Sequence, residues 1–428
     1  MMAKKPKFQA PNGMHDILPQ DQVFFQKVYG TAQNMANFCG FQRIDTPLIE
    51  MAELFSRGIG ISTDVVEKQM YTFRTRGGDY LALRPELTAG IARAYMEHGM
   101  FNLPQPLKFY SAGPLFRQER PQAGRFRQFH QVNFEVLGEE SPVIDAQIIQ
   151  IYYNLLRELK IKNIIVEINS IGASCCRPYY KKLLTGYFRS RESSLCSDCR
   201  RRLRDNPLRI LDCKEEKCQP VKAQAPQLVD HLCEECKSHF KEVLEFLDEI
   251  EVPYRLNPYL VRGLDYYTKT VFEIFEDTEE GQKIGALAAG GRYDGLVKTL
   301  GGKETPACGG AAGVERLIII LKEKIKKEVS PSFKKVFLAQ LGQLSKRKSL
   351  KLFEEFRRAK IPVAESLGKD SLKTQLRTAD KLGATFTLIL GQKEALDGTI
   401  IIRDMKSGKQ ETVKLEKVVK EMQRRIKK

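Results

Sequence analysis

Residues 107–138, LKFYSAGPLFRQERPQAGRFRQFHQVNFEVLG, read as two strands joined by a charged loop, the first over about 107–117 and the second over about 128–137. Successive side chains of a strand fall on opposite faces. In the second strand Phe129, Gln131, Asn133 and Glu135 share one face, and His130, Val132, Phe134 and Val136 share the other. One face is mostly apolar; the opposite face carries two amides and a carboxylate. The loop holds Arg117, Glu119, Arg120, Arg125 and Arg127. Arginine is the side chain best shaped to hold phosphate oxygens through two donors at once. A basic loop beside a polar sheet face therefore suits a polyanion next to a small polar molecule. The plainer reading of the same pattern is an antiparallel hairpin with one solvated face.

The rest of the chain sets bounds on these readings. Its 428 residues are enough for two or three domains, each with its own core. A formal charge of +17 favours an anionic partner, with nucleic acid the natural candidate, over a merely basic surface. The start, MMAKKPKFQAPNG, has basic residues without an apolar core after them, so no secretory signal is expected. No apolar run is long enough to span a membrane, and a cytoplasmic protein is the expectation. Of the ten cysteines, Cys39 and Cys308 are isolated, Cys175 and Cys176 are adjacent, and the other six lie between 196 and 236. Disulfides are not expected in that setting. The two C-x-x-C pairs could supply a tetrahedral thiolate site for structural zinc, from Cys196, Cys199, Cys233 and Cys236 with Cys213 or Cys218 as further candidates. The alternative is reduced, unliganded thiols on helices.

Along the chain, 21–38 reads as an amphipathic helix with Val23, Phe24, Val28, Ala32 and Met35 at helical spacing, closed by Gly40. FQRIDTPLIE follows as a strand that stops at Pro47. MYTFRTRGGDYLALRPELTAG reads as a hairpin turning at 76–79 and then a helix from Thr88. A helix over 142–160 and a strand at IKNIIVEINSIG lead into a mostly helical, polar stretch over about 175–252. LVRGLDYYTKTVFEIF reads as a strand-like run that turns near Gly263, with Arg262, Asp265, Tyr266, Tyr267 and Thr268 close together. In ALAAGGRYDGLV, Gly290 and Gly291 would let backbone approach a ligand closely. GGAAGVERLIII reads as a strand of small residues and then a helix led by Glu315 and Arg316. VSPSFK, 329–334, reads as a linker, and the alternation beyond it as a βαβ-type domain that ends in a basic helix. No Walker A or G-x-G-x-x-G signature occurs in that domain.

Several of these stretches resemble the motifs of one family. FRQERPQAGRFRQFHQVNFEVLG resembles motif 2 of a class II aminoacyl-tRNA synthetase in its histidyl form, with Arg117, Glu119, Arg125, Gln131 and Glu135 at matching positions. LRPELT, RGLDYYT and AAGGRYDG resemble further stretches of histidyl-tRNA synthetases, and GGAAGVERL resembles motif 3. The resemblance covers nearly the whole chain in the expected order. It implies an α+β catalytic domain on an antiparallel sheet over 1–328 with a helical insertion at about 175–252, and an anticodon-binding α/β domain over 335–428. It implies ATP-dependent attachment of L-histidine to its tRNA through a histidyl-adenylate, with Mg²⁺ bridging phosphate oxygens. It implies that Glu86, Thr88 and Gln131 bind the amino group of histidine, that Glu135 and Tyr267, with Tyr266 nearby, read the imidazole, and that Leu87 also belongs to the histidine-binding set. It implies that Arg117 holds the α-phosphate and that Arg262 neutralises charge developing there, making these two the catalytic pair. Glu119, Arg125 and Arg316 would contact ATP, with Arg120 and Gln122 ordering over it. A homodimer joined near Pro47 is implied, as is an insertion whose RRLRDNPLRILDC leans toward the tRNA acceptor arm. The rival is a non-catalytic paralogue regulating histidine biosynthesis. Such paralogues typically lack the C-terminal domain and have eroded motifs, whereas here both are intact.

Overall fold

The computed structural model describes residues 7–61, 63–122, 124–278, 285–324 and 335–427; the linker expected at 329–334 lies outside them. The chain divides into two compact units, Met1–Lys327 and Glu328–Lys428.

In the first unit the strands are, in chain order, β1 Gln42–Arg43, β2 Ile49–Met51, β3 Thr72–Arg74, β4 Tyr80–Leu83, β5 Leu107–Phe116, β6 Gln128–Leu137, β7 Ile164–Ser170, β8 Tyr254–Leu256, β9 Thr268–Glu276, β10 Ala288–Arg292 and β11 Ala307–Gly313. Eight of them form one sheet in the order β1-β5-β6-β11-β10-β9-β7-β8, while β2-β4-β3 forms a small second sheet. The large sheet is antiparallel throughout its middle, and only its outermost pairs, β1 with β5 and β7 with β8, are parallel. This is the α+β catalytic architecture the resemblance implies.

The hairpin β5–β6 forms in the register its alternation demands, Leu107 opposite Leu137 and Phe116 opposite Gln128. Val132, Phe134 and Val136 are buried in the core with Phe41, Tyr110 and Tyr152, and Phe134 meets Phe41 edge-on at 5.3 Å. The helices Pro19–Phe38 and Pro142–Glu158 cover this face. On the first helix Val28, Ala32, Met35 and Ala36 are buried, but Val23 is exposed. The opposite face of β6 is not solvated either: Asn133 and Glu135 are buried, so the plain hairpin reading fails.

Two expected strands differ. FQRIDTPLIE splits into β1 and β2, which belong to different sheets, because Pro47 between them has no N–H for a ladder. In LVRGLDYYTKTVFEIF only the part from Thr268 is a strand. The segment 259–267 is irregular, and its side chains line the cleft described below.

The second unit contains β12 Lys335–Gln340, β13 Val363–Glu365, β14 Ala384–Leu390, β15 Thr399–Asp404 and β16 Gln410–Lys414, in the order β13-β12-β14-β15-β16. β12, β13 and β14 are parallel and joined through the helices Gln343–Arg358 and Leu372–Lys381; β15 and β16 add an antiparallel edge. The βαβ expectation therefore holds for the first three strands.

A buried ion network ties β10 to the helix after β6. Arg292 is fully buried; its Nε and Nη2 donate to Asp145 Oδ1 at 2.9 and 2.6 Å, and its Nη groups also donate to the carbonyls of Glu139 and Ser141. His239 of the helix Glu234–Glu249 stands 2.8 Å from Asp145 Oδ2. Burial opposes the Asp145 charge, but Arg292 and His239 outweigh it and hold this carboxyl at about 2. Breaking one side of such a pair leaves an uncompensated buried charge. Asp145→Asn should therefore cost about 3–5 kcal/mol in urea unfolding of the full chain. The folded value lies below the ordinary 3.8, so the stabilisation from Asp145 is present above that value and is lost as pH falls through about 2.

Candidate active site

A cleft of about 810 Å³ is lined by β6, β9, β10 and β11, by the start of the helix Thr88–Glu97 and by the irregular segment before β9. Of the site residues expected from the sequence, Glu86, Thr88, Arg117, Glu119, Arg125, Gln131, Arg262, Tyr266, Tyr267 and Arg316 all line it. Leu87 and Glu135 do not stand on its wall. Leu87 is fully buried in the apolar core, and Glu135 lies one layer beneath.

Glu86 is both buried and a helix cap. Its oxygens accept from the N–H groups of Thr88 and Ala89, each at 2.7 Å, where the first turn has no intrahelical acceptors. Burial raises its pKa against those hydrogen bonds. Thr88 Oγ1 in turn donates to Glu135 Oε1 at 2.6 Å.

Glu135 has no solvent exposure. Besides Thr88, Asn133 Nδ2 donates to Oε1 at 3.1 Å and the Tyr293 hydroxyl donates to Oε2 at 2.7 Å. Gly309 of β11 lies directly across the ladder. A Cβ built there would stand 1.6 Å from Glu135 Oε2, so only glycine leaves room for the carboxylate. Burial pushes the Glu135 carboxyl up to about 7 in spite of its three donors. Asn133 lines the cleft above it, and Asn133 Oδ1 is buried without a hydrogen-bond partner among the described residues.

Three arginines from separate segments converge on the cleft. Arg117 Nε donates to the Pro85 carbonyl at 2.9 Å, and its guanidinium lies over the Phe129 ring. Glu119 stands between Arg117 and Arg125 at 4.0 and 3.9 Å. Arg262 pairs with Glu273 and lies over the Tyr267 ring at 5.5 Å; its buried Nε has no hydrogen-bond partner among the described residues. Arg316, in the helix Val314–Lys324, donates to the carbonyls of Gly124 and Ala286. Burial pushes the pKa of both Arg117 and Arg316 below the usual arginine value. Partly buried cations held mostly by carbonyls and rings are poised for an anion. Tyr266 and Tyr267 are nearly buried with ring centroids 4.7 Å apart, and Tyr293 adjoins Tyr266.

Sequence reasoning missed Tyr293 and Glu273. Tyr293 sits beside Arg292 in AAGGRYDG, where only the two glycines drew a reading. Glu273, the one charge within TVFEIF, was the available signal for a cleft-facing position on β9. Gly290 and Gly291 do not open toward the cleft as expected. A Cβ at Gly290 would meet the Gly309 carbonyl at 2.2 Å, and one at Gly291 would meet the Thr270 carbonyl at 2.3 Å. They let the neighbouring strands lie close instead. RRLRDNPLRILDC also spends much of its charge inward: Arg202 and Arg209 reach Asp64 Oδ2 at 3.1 and 3.0 Å, and Asn206 donates to Asp265. The cysteines group differently from the expected set. Cys196 and Cys199 join Cys213 and Cys218, while Cys233 and Cys236 join Cys175 and Cys176. C-x-x-C spacing shows which cysteines act in pairs, but the fold decides which pairs meet.

An antiparallel sheet whose cleft gathers motif arginines, buried carboxylates and a glycine-rich strand ahead of an arginine-bearing helix is the architecture of a class II aminoacyl-tRNA synthetase catalytic domain. Comparison with known proteins narrows the class. Residues 13–173 and 202–317 match the histidyl-tRNA synthetase family, and 318–425 match the anticodon binding domain. A histidine–tRNA ligase of Dehalococcoides mccartyi is 44% identical over 98% of this chain and 100% of its own length. One from Caldicellulosiruptor saccharolyticus is 42% identical over the same shares. The structure of an S. aureus histidyl-tRNA synthetase, 32% identical, matches with a TM-score of 0.79 over 96% of this chain and 99% of that one. The chain belongs to the histidyl-tRNA synthetase family.

Glu135 gives a pH prediction. Its folded pKa of about 7 lies above the ordinary 4.5, so its contribution to stability is fully present below 4.5 and is lost as pH rises through about 7. Stability of the ligand-free protein should fall between about pH 4.5 and 7 and level off above that, by an amount that Glu135→Gln abolishes, as read from thermal unfolding at several pH values. Identical slopes for both proteins would contradict the assignment.

Proposed function

We propose that the chain attaches L-histidine to its cognate tRNA in two steps, with histidyl-adenylate as the intermediate. The observation that carries this reading is the convergence of Arg117, Arg262 and Arg316 on a cleft that also holds Glu86, Thr88, Gln131 and the tyrosine pair. A nucleotide phosphate chain beside a small zwitterion needs that combination, whereas binding RNA alone does not. Relatives named histidine–tRNA ligase that match over their full lengths favour the enzyme over the regulatory paralogue.

In this reading the ammonium of histidine lies against Glu86, Thr88 and Gln131. Tyr267 and Tyr266 read the imidazole, and Glu135 acts from beneath the cleft wall through Asn133 above it, with Thr88 and Tyr293 holding its carboxylate in place. A pocket of buried polar groups rejects amino acids that leave those groups unpaired, and this discrimination can be large without a separate editing site. The histidine carboxylate attacks the α-phosphorus of ATP, and pyrophosphate leaves. Arg117 holds the α-phosphate, and Arg262 neutralises the charge that grows there as the new bond forms. Arg316 grips the terminal phosphate, with Glu119 and Arg125 at the motif 2 loop. Glu119 and Glu273 are hard oxygen donors on the cleft wall, suited to hold Mg²⁺, which would neutralise phosphate charge. The 2′- or 3′-hydroxyl of the tRNA end then takes the histidyl group, and AMP leaves. The second unit, matched to the anticodon binding domain, would contact the tRNA, and the net charge of +17 suits that partner.

A homodimer belongs to the same proposal. Leu48, Ile49, Met51, Phe73 and Tyr80 are exposed on and beside the small sheet β2-β4-β3, and an exposed apolar patch of that kind marks an interface. Sedimentation equilibrium should give twice the chain mass; a monomer at micromolar concentration would remove this part of the reading.

The test of the chemistry is Arg262→Ala. Histidine-dependent ATP–pyrophosphate exchange should fall about 100- to 1000-fold, while histidine affinity measured by calorimetry stays nearly unchanged. Comparable losses in both would sink the role given to Arg262.

A further inference from the structure

The helical insertion carries eight of the ten cysteines in two groups of four. Within each group every sulfur lies within 4.8 Å of the other three. In the neck group Cys175 Sγ stands 3.6 Å from Cys176, 3.3 Å from Cys233 and 3.8 Å from Cys236. In the outer group Cys196 Sγ stands 3.9 Å from Cys213. None of the eight is in a disulfide.

We propose that the insertion holds two zinc ions, each in a tetrahedral four-cysteine site: a neck site from Cys175, Cys176, Cys233 and Cys236, and an outer site from Cys196, Cys199, Cys213 and Cys218. The sulfur spacing argues for a single ion in each. Zn–S bonds of about 2.3 Å at tetrahedral angles place neighbouring sulfurs about 3.8 Å apart. A disulfide would bring two of them to about 2.05 Å. An iron–sulfur cluster would spread all four farther, since several iron and sulfide ions would stand between them. The backbone is arranged for thiolates as well. Cys196 and Cys233 each stand at the N-cap of a helix, Ser197–Asp205 and Glu234–Glu249, where free N–H groups and the helix dipole favour negative charge. The N–H of Cys199 donates to Cys196 Sγ, that of Cys196 to Cys218 Sγ and that of Cys233 to Cys176 Sγ, at 3.2–3.4 Å.

The two sites do different jobs. The neck site joins the chain where it leaves the catalytic sheet after β7 to the chain where it returns in the helix Glu234–Glu249. It fixes Arg177, the residue after Cys176, whose guanidinium donates to the carbonyls of Ile171 and Tyr267. The outer site folds the stretch that sends Arg202 and Arg209 to Asp64. Both sites are structural: four protein sulfurs complete the coordination and leave no open position.

The test is metal analysis of the full chain, produced with zinc in the medium and purified under reducing conditions without chelator. Two zinc ions per chain are expected, with eight thiols shielded until a mercurial releases the metal. X-ray absorption should show zinc bound by four sulfurs at about 2.3 Å. Cys175→Ser with Cys236→Ser should remove one ion and Cys213→Ser with Cys218→Ser the other, while Cys39→Ser removes neither. Absence of stoichiometric zinc from the unaltered chain, iron in its place, disulfides within either group, or nitrogen or oxygen ligands in the absorption spectrum would each overturn the proposal; these readouts on the unaltered chain stand even if the variants fail to fold. The link to Tyr267 rests on the proposed function and is read separately. Loss of the neck ion should raise KM for histidine more than KM for ATP. Equal changes would remove that link and leave the metal sites standing.

Discussion

A carboxylate without solvent sits where four parts of the catalytic unit meet. Glu135 comes from β6, its donors Thr88 and Tyr293 from a helix start and from the turn after β10, and the space for it from Gly309 on β11. A buried carboxylate needs donors placed in advance. Those donors fix how the hairpin, the LRPELT loop and the glycine-rich strands stand relative to one another. Asn133, also bonded to this carboxylate, is the wall of the cleft immediately above it. The floor of the cleft is thus set by one polar cluster, and the family's motifs are the segments that supply it.

Around that floor the charge is arranged unevenly. The carboxylates Glu86 and Glu135 lie deep, while Arg117, Arg262 and Arg316 line the rest of the cleft and find most of their partners in carbonyls, rings and single carboxylates. Deep acid suits an ammonium and an imidazole, and surplus guanidinium suits phosphates. Fixed charges of this kind need little reorganisation as a reaction proceeds, which is where electrostatic stabilisation gains most over water.

Much of this is legible in the sequence, for definite reasons. The period-two alternation of Phe129 to Val136 sets the hairpin's faces, and the arginines that cluster at 117–127 mark the phosphate side. What escaped needs the third dimension. Nothing in the sequence marks Tyr293 as polar-site machinery; its role appears only when β10 pairs with β11 and its hydroxyl reaches Glu135. Arg292, in the same motif, is a buried structural ion whose partner Asp145 lies 147 residues away. Gly290 and Gly291 look open in sequence but serve strand packing. The C-x-x-C pairs are visible, yet their partnering reverses the simple expectation because the insertion's two ends meet at its neck while Cys213 and Cys218 fold back on Cys196. FQRIDTPLIE fails as one strand because Pro47 divides it between two sheets.

The central claim is a cleft built for histidine and ATP together. Amino-acid-dependent ATP–pyrophosphate exchange, run with each standard amino acid in turn, tests it most directly. The account predicts exchange with histidine alone. Exchange with none would contradict the catalytic reading, and exchange with another amino acid would contradict the roles given to Glu135 and Tyr267.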